Sequence, residues 1–141
     1  MAEHGKEDKM VGSVLVADDE AHIRLLIEQA LEDLEERGVV ILMAEHGIQA
    51  LEMIRAQKPR LAFLDIMMPR MNGYEVCRAV RDDLGLQDVY LVLLTAKGQT
   101  ADRQLGEQSG ADLYLTKPFD PDELLEIAEM VLGAKSWPDQ A

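Results

Sequence analysis

The sequence predicts an α/β protein, a parallel sheet with helices on both faces. Three observations carry that expectation. Short apolar runs alternate with segments whose apolar residues recur at helical spacing. The strand-plus-helix unit returns at roughly 22 to 28 residues, five times along the chain, as βα units of a parallel sheet do. The runs are apolar throughout rather than every second residue, as strands buried on both faces require.

Taken in order, Val14 to Ala17 is the first strand, and Ile23, Leu26, Ile27, Ala30, Leu31 and Leu34 mark one face of a helix that Gly38 stops. Val39 to Met43 is a second strand; Ile48, Leu51 and Ile54 mark a helix that ends before Pro59. Leu61 to Leu64 is a third strand, followed by a loop ending in the turn former Asn72-Gly73, and Val76, Cys77 and Val80 mark the next helix. Val89 to Leu94 is a fourth strand. Thr100 to Ser109 is a weakly anchored helix, with Ala101 and Leu105 nearly its only apolar residues. Leu113 and Leu115 frame a fifth strand, and Pro121 opens a last helix through Leu132. Residues 1–11 read as a disordered leader, 12–133 as one domain and 134–141 as a tail or linker stub.

Composition narrows the function. The 141 residues carry a net charge of −13. That disfavours direct contact with nucleic acid or an anionic membrane, both of which recruit Lys and Arg. A single cysteine, Cys77, excludes an internal disulfide and a Cys-rich zinc site. No apolar run approaches a membrane span, and the polar N-terminus is no secretory signal, so a cytoplasmic location is expected.

Ligands of open α/β sheets bind beyond the carboxyl ends of the strands. There the chain places Asp18, Asp19 and Glu20 after strand one, Asp65 after strand three, Thr95 after strand four, and Thr116 and Lys117 after strand five. Each has a plain structural reading: a helix cap for the first three, a turn former for Asp65, a cap for Thr95 and a solvated charge for Lys117. Their joint occurrence at four strand ends favours one shared site. Carboxylates a few ångströms apart repel by roughly 4 kcal/mol per pair at an effective dielectric near 20. A hard cation relieves that repulsion, and an all-oxygen site with few protein ligands suits Mg²⁺. Carboxylates, a lysine and a hydroxyl are the parts needed to transfer a phosphoryl group onto an aspartate.

Four ordered segments resemble the receiver domain of response regulators: Val16-Ala17-Asp18-Asp19-Glu20, Leu64-Asp65 through Asn72-Gly73, Leu94-Thr95-Ala96-Lys97, and Gly110-Ala111-Asp112 through Lys117-Pro118-Phe119. The resemblance spans about residues 12 to 133. It implies a flavodoxin-like, doubly wound sheet of five strands in the order 2-1-3-4-5 with five helices. It implies that Asp65 is the phosphoacceptor of a two-component system, receiving its phosphoryl group from a sensor histidine kinase or a histidine phosphotransfer protein. Mg²⁺ would be bound by Asp19 and Asp65, by Asp18 through water, and by the backbone carbonyl of Met67. Thr95 and Lys117 would bind phosphoryl oxygens, with Ala96 leaving access to the acceptor and Thr95 and Tyr114 acting as switch residues. The Lys117-Pro118 bond would be cis. Such a domain is a phosphoryl acceptor rather than an enzyme, apart from intrinsic self-phosphorylation and self-dephosphorylation. Its output would be a downstream protein or an output domain missing from this chain, and a phosphorylation-dependent homodimer fits the same scheme. The rivals are a Mg²⁺-dependent phosphatase with an aspartyl-phosphate intermediate and a flavin-binding module. The first expects Asp-x-Asp after strand one, where this chain has adjacent Asp18-Asp19; the second expects a Ser/Thr-Gly-rich loop, which is absent.

Overall fold

A computed structural model describes residues 11–96 and 108–133. Five parallel strands, β1 (Ser13–Ala17), β2 (Val40–Ala44), β3 (Leu61–Asp65), β4 (Tyr90–Thr95) and β5 (Leu113–Thr116), form one sheet in the order β2-β1-β3-β4-β5. The helices are α1 (Ala21–Ala30), α2 (Glu32–Glu36), α3 (Gly47–Gln57), α4 (Gly73–Arg78) and α5 (Pro121–Gly133). The strand order is the expected one. The helix expected over Thr100–Ser109 lies almost wholly outside the described residues.

Alternation within the strands builds two cores. Val14, Val16, Leu61, Phe63, Val92 and Leu94 face α1, α2 and α5, where Ile27, Leu31, Leu34, Leu124 and Ala128 pack against them. Leu15, Ala17, Ala62, Leu64, Leu91 and Leu93 face α3 and α4, meeting Ala50, Ile54, Val76 and Cys77. Fully burying a residue of this size stabilises by about 1.5–3 kcal/mol. Among the described residues both faces are covered by helices, which leaves the strand ends for chemistry.

Three local features differ from the sequence pattern. The first helix is interrupted at Leu31, whose N–H is shared between the Ile27 and Glu28 carbonyls. Leu26, expected on its buried face, is instead exposed beside Leu25. Asn72-Gly73, which ends the loop after β3, is the start of α4. The Asn72 side chain accepts from the Glu75 N–H and the Glu75 carboxylate accepts from the Asn72 N–H, each at 2.9 Å, a reciprocal capping box. After Arg78 the helix widens into a π-helical turn, Ala79–Asp83. From that turn Arg81 donates to the Gly110 and Leu86 carbonyls and pairs with Asp112 at 2.8 Å. Asp112 in turn accepts from the Leu91 N–H, so this fork sets the entry of β5 beside β4.

Candidate functional site

The carboxyl ends of the strands set the site. β1 pairs with β3 in register, Ala17 opposite Leu64, so the residues that follow, Asp18 and Asp65, emerge side by side. Asp65 lies opposite Leu94, which places Thr95 one residue further along the same edge, and the Lys117 N–H donates to the Thr95 carbonyl at 2.8 Å. Asp18, Asp65 and Thr95 are buried; Asp19 is exposed at the rim.

The acidic cluster is real. Asp18, Asp19 and Asp65 each offer a carboxylate oxygen, all within 4.8 Å of one another. The Lys117 ammonium enters from β5, 3.0 Å from Asp18 Oδ2 and 3.7 Å from Asp65 Oδ2, with Glu20 at 3.9 Å. The helix-cap reading of Asp18–Glu20 does not hold, because Glu20 occupies the N-cap of α1 without a side-chain cap bond. Asp18 is instead built into the turn: its N–H donates to the Ala44 carbonyl and its Oδ1 accepts from the Glu20 N–H at 2.9 Å. Both oxygens of the Asp18 carboxylate are thus engaged, Oδ1 by the Glu20 N–H and Oδ2 by Lys117.

The electrostatics follow from that geometry. Burial, then the nearby Asp18 charge, pushes the Asp65 carboxyl up to about 7; Lys117 and a hydrogen bond from the Met67 N–H oppose the rise. Burial lowers the Lys117 pKa, but the Asp18 hydrogen bond and the carboxylates around it outweigh that, and the net shift is upward. Lys117 therefore stays charged. Three hard oxygen donors on one side, with no sulfur or imidazole, are what an Mg²⁺-sized cation takes, so the donor set fits that ion.

Other expected positions fall as follows. Met67 projects its side chain to solvent, 61% exposed, two residues beyond the end of β3. Tyr114 is half-buried on β5 against the α3–α4 core. The Lys117-Pro118 bond is cis. Cys77 is buried and its thiol is pushed up to about 12 by that burial, so it packs rather than reacts. Two contributors carry no clear sequence signal. His46 caps α3, its Nδ1 accepting from the Gln49 N–H at 3.1 Å. Arg24 donates to the Asp18 carbonyl at 2.6 Å.

A parallel sheet with an acidic trio and a lysine at its carboxyl edge defines a class: phosphoryl-accepting α/β domains. Residues 14–129 match the family model described as response regulator receiver domain, and the chain belongs to that family. It is a receiver domain of the kind response regulators carry in two-component signalling. It is 39% identical over 121 residues to response regulator Rre1 of Synechocystis, covering 86% of this chain and 52% of that protein. It is 44% identical over 118 residues to the DNA-binding response regulator MtrA of Mycobacterium bovis, covering 84% and 49% respectively. The chain thus spans about half the length of these relatives. Among solved structures, the receiver domain of AraT from Geobacillus stearothermophilus superposes with a TM-score of 0.77 at 32% identity, over 94% of this chain and all of that one. The receiver domain of sensor kinase PA1611 from Pseudomonas aeruginosa, which holds a magnesium ion in its active-site cleft, gives 0.73 at 28% identity over 86% and 98% of the two chains.

Proposed function

We propose that Asp65 is the phosphoacceptor, taking a phosphoryl group from a phosphohistidine on a sensor kinase or a histidine phosphotransfer protein. The observation that carries this reading is the convergence of Asp18, Asp19 and Asp65 within 4.8 Å, with Lys117 3.7 Å from the acceptor carboxylate. An Asp65 oxygen forms the new bond to phosphorus as the bond to the donor imidazole nitrogen breaks, the electron pair leaving with the imidazole. Asp18, Asp19, Asp65 and the Met67 carbonyl are the groups that would hold Mg²⁺, which supplies charge neutralisation for the carboxylates and the incoming oxygens. Lys117, held by Asp18, presents an ammonium to the phosphoryl oxygens as they arrive. The Thr95 hydroxyl supplies a hydrogen bond from the adjacent strand, and the small Ala96 leaves its approach open.

Phosphorylation adds charge and acceptor oxygens next to Thr95 and Lys117, which biases a two-state surface. Thr95 and Tyr114 are the residues that report it, and β5 and α5 belong to the surface that changes; the helix expected over Thr100–Ser109 as its third part lies almost wholly outside the described residues. The domain acts as a phosphoryl acceptor and not as a multiple-turnover enzyme. Its output is a downstream protein or a further domain of a longer regulator. Its own contacts are with protein rather than nucleic acid, in keeping with a net charge of −13. Among the described residues no helix is long and apolar enough to cross a membrane, and a cytoplasmic site of action accompanies this reading. The test is labelling by an acyl-phosphate donor with Mg²⁺: one phosphoryl group per wild-type chain is expected and none in Asp65→Asn. Stoichiometric labelling of the variant would assign the chemistry elsewhere.

A further inference from the structure

The geometry points to Arg24 as a positioning residue for the cation site, a role that rests on the reading of that site given above. Arg24 sits one turn into α1 with its side chain 17% exposed. Its Nη1 donates to the backbone carbonyl of Asp18 at 2.6 Å, a hydrogen bond assisted by the guanidinium charge. Its Nη2 lies 3.8 Å from Glu45 Oε2 in the loop after β2.

The Asp18 carbonyl belongs to the turn between β1 and α1. The first hydrogen bonds of α1 run from the Ile23 and Arg24 N–H groups to the Glu20 carbonyl, so the helix ladder does not reach back to Asp18. Arg24 supplies a donor from the helix instead. With it, four groups hold Asp18 from four directions: the Ala44 carbonyl, the Glu20 N–H, Lys117 Nζ and the Arg24 guanidinium. Glu45 belongs to the β2–α3 loop, and the first residue of α3, Gly47, donates its N–H to the Pro69 carbonyl in the loop after Asp65 at 3.4 Å.

Two physical effects of Arg24 on a bound cation have opposite sign, which makes the role separable. A guanidinium near the site repels the cation, so its charge alone weakens binding. Holding the Asp18–Asp19 turn in place strengthens binding, because outer partners of metal ligands typically contribute a factor of 10 or more to affinity. The positioning effect is assigned the larger weight here, since the bond goes to the backbone of the turn and not to a carboxylate.

The experiment is isothermal titration of the unmodified full chain with MgCl₂, for wild type, Arg24→Gln, Arg24→Lys and, as a control at the site itself, Asp19→Ala. Arg24→Gln is expected to bind Mg²⁺ about 10-fold more weakly, Arg24→Lys to recover most of that loss, and acyl-phosphate labelling of Arg24→Gln to return at higher Mg²⁺. Unchanged or tighter Mg²⁺ binding by Arg24→Gln overturns the assignment while Asp19→Ala remains weak. Should Arg24→Gln fail to fold, Arg24→Met, which keeps the apolar stem and removes the donor, takes its place: Mg²⁺ binding about 10-fold weaker than wild type while circular dichroism shows it folded supports the role, and wild-type affinity in it overturns the role. Absence of Mg²⁺ binding by the wild type overturns this role together with the reading of the site on which it stands.

Discussion

Replacing Asp65 by asparagine is expected to stabilise the cation-free domain, by an amount that grows as pH rises between the ordinary carboxylate value and about 7. Asp18 and Asp65 oxygens within 4.8 Å repel by roughly 3–4 kcal/mol at an effective dielectric of 20, and Lys117 at 3.7 Å returns roughly the same amount. What remains is the burial of the Asp65 carboxylate, and its pKa is accordingly pushed up to about 7 from 3.8. The native state therefore keeps a proton that the unfolded chain has already lost between those values. Stability falls as pH rises through that window and levels off above it, because the unfolded state binds fewer protons there. At 1.36 kcal/mol per pH unit the ionised acceptor destabilises the apo fold on the order of 2–4 kcal/mol. Asparagine is nearly isosteric with the protonated acid and retains an oxygen for the Met67 N–H. In urea unfolding with a chelator present, Asp65→Asn should exceed wild type by on the order of 2–4 kcal/mol near pH 8, by roughly a third of that near pH 5, and by little at about pH 4. A variant less stable than wild type near pH 8, or a difference that does not change with pH, would refute this reasoning.

Three further substitutions probe the site and the loops that build it. Asp19→Ala should weaken Mg²⁺ binding at least about 10-fold while leaving apo stability nearly unchanged, since Asp19 is exposed; calorimetry reads both, and wild-type affinity would remove Asp19 from the ligand set. Gly47→Ala would push a methyl group into the Met71 carbonyl oxygen, backbone against backbone, at the junction of the α3 start and the loop after β3. It should cost more than about 2 kcal/mol and lower acyl-phosphate labelling of the folded fraction, whereas a near-wild-type melting temperature would contradict the close approach. Asn72→Ala removes one half of the capping box of α4 and should cost about 1 kcal/mol by urea unfolding, while Asn72→Ser should recover most of it.

Much of the fold was legible because both faces of the sheet are covered by helices, which writes each strand as an apolar run and each helix as a stripe. Strand order was not legible that way, since all five strands read alike; it came from the family resemblance. The acidic trio and Lys117 were legible because strand ends are where such sheets bind ligands. Asp18 and Lys117 are 99 positions apart, and parallel pairing alone brings them together. Arg24 was not legible as part of the site: its target is a backbone carbonyl, and a carbonyl leaves no residue-type signature. His46 was missed for a related reason, because its imidazole stands where Ser, Thr, Asp or Asn more often cap. Asn72 was read as a turn former because the same side-chain oxygen that closes a turn also caps a helix, and only the Glu75 partner distinguishes the two. The exposure of Leu26 reflects a buried stripe on α1 narrower than the apolar one in the sequence.

The central claim is that the carboxylate of Asp65 receives the phosphoryl group. Acyl-phosphate treatment with Mg²⁺, followed by borohydride reduction and peptide mass mapping, reads this directly, because an aspartyl phosphate is reduced to homoserine at the residue that carried it. Homoserine at position 65 alone is the predicted result. Homoserine at position 18 or 19 with position 65 intact would contradict it.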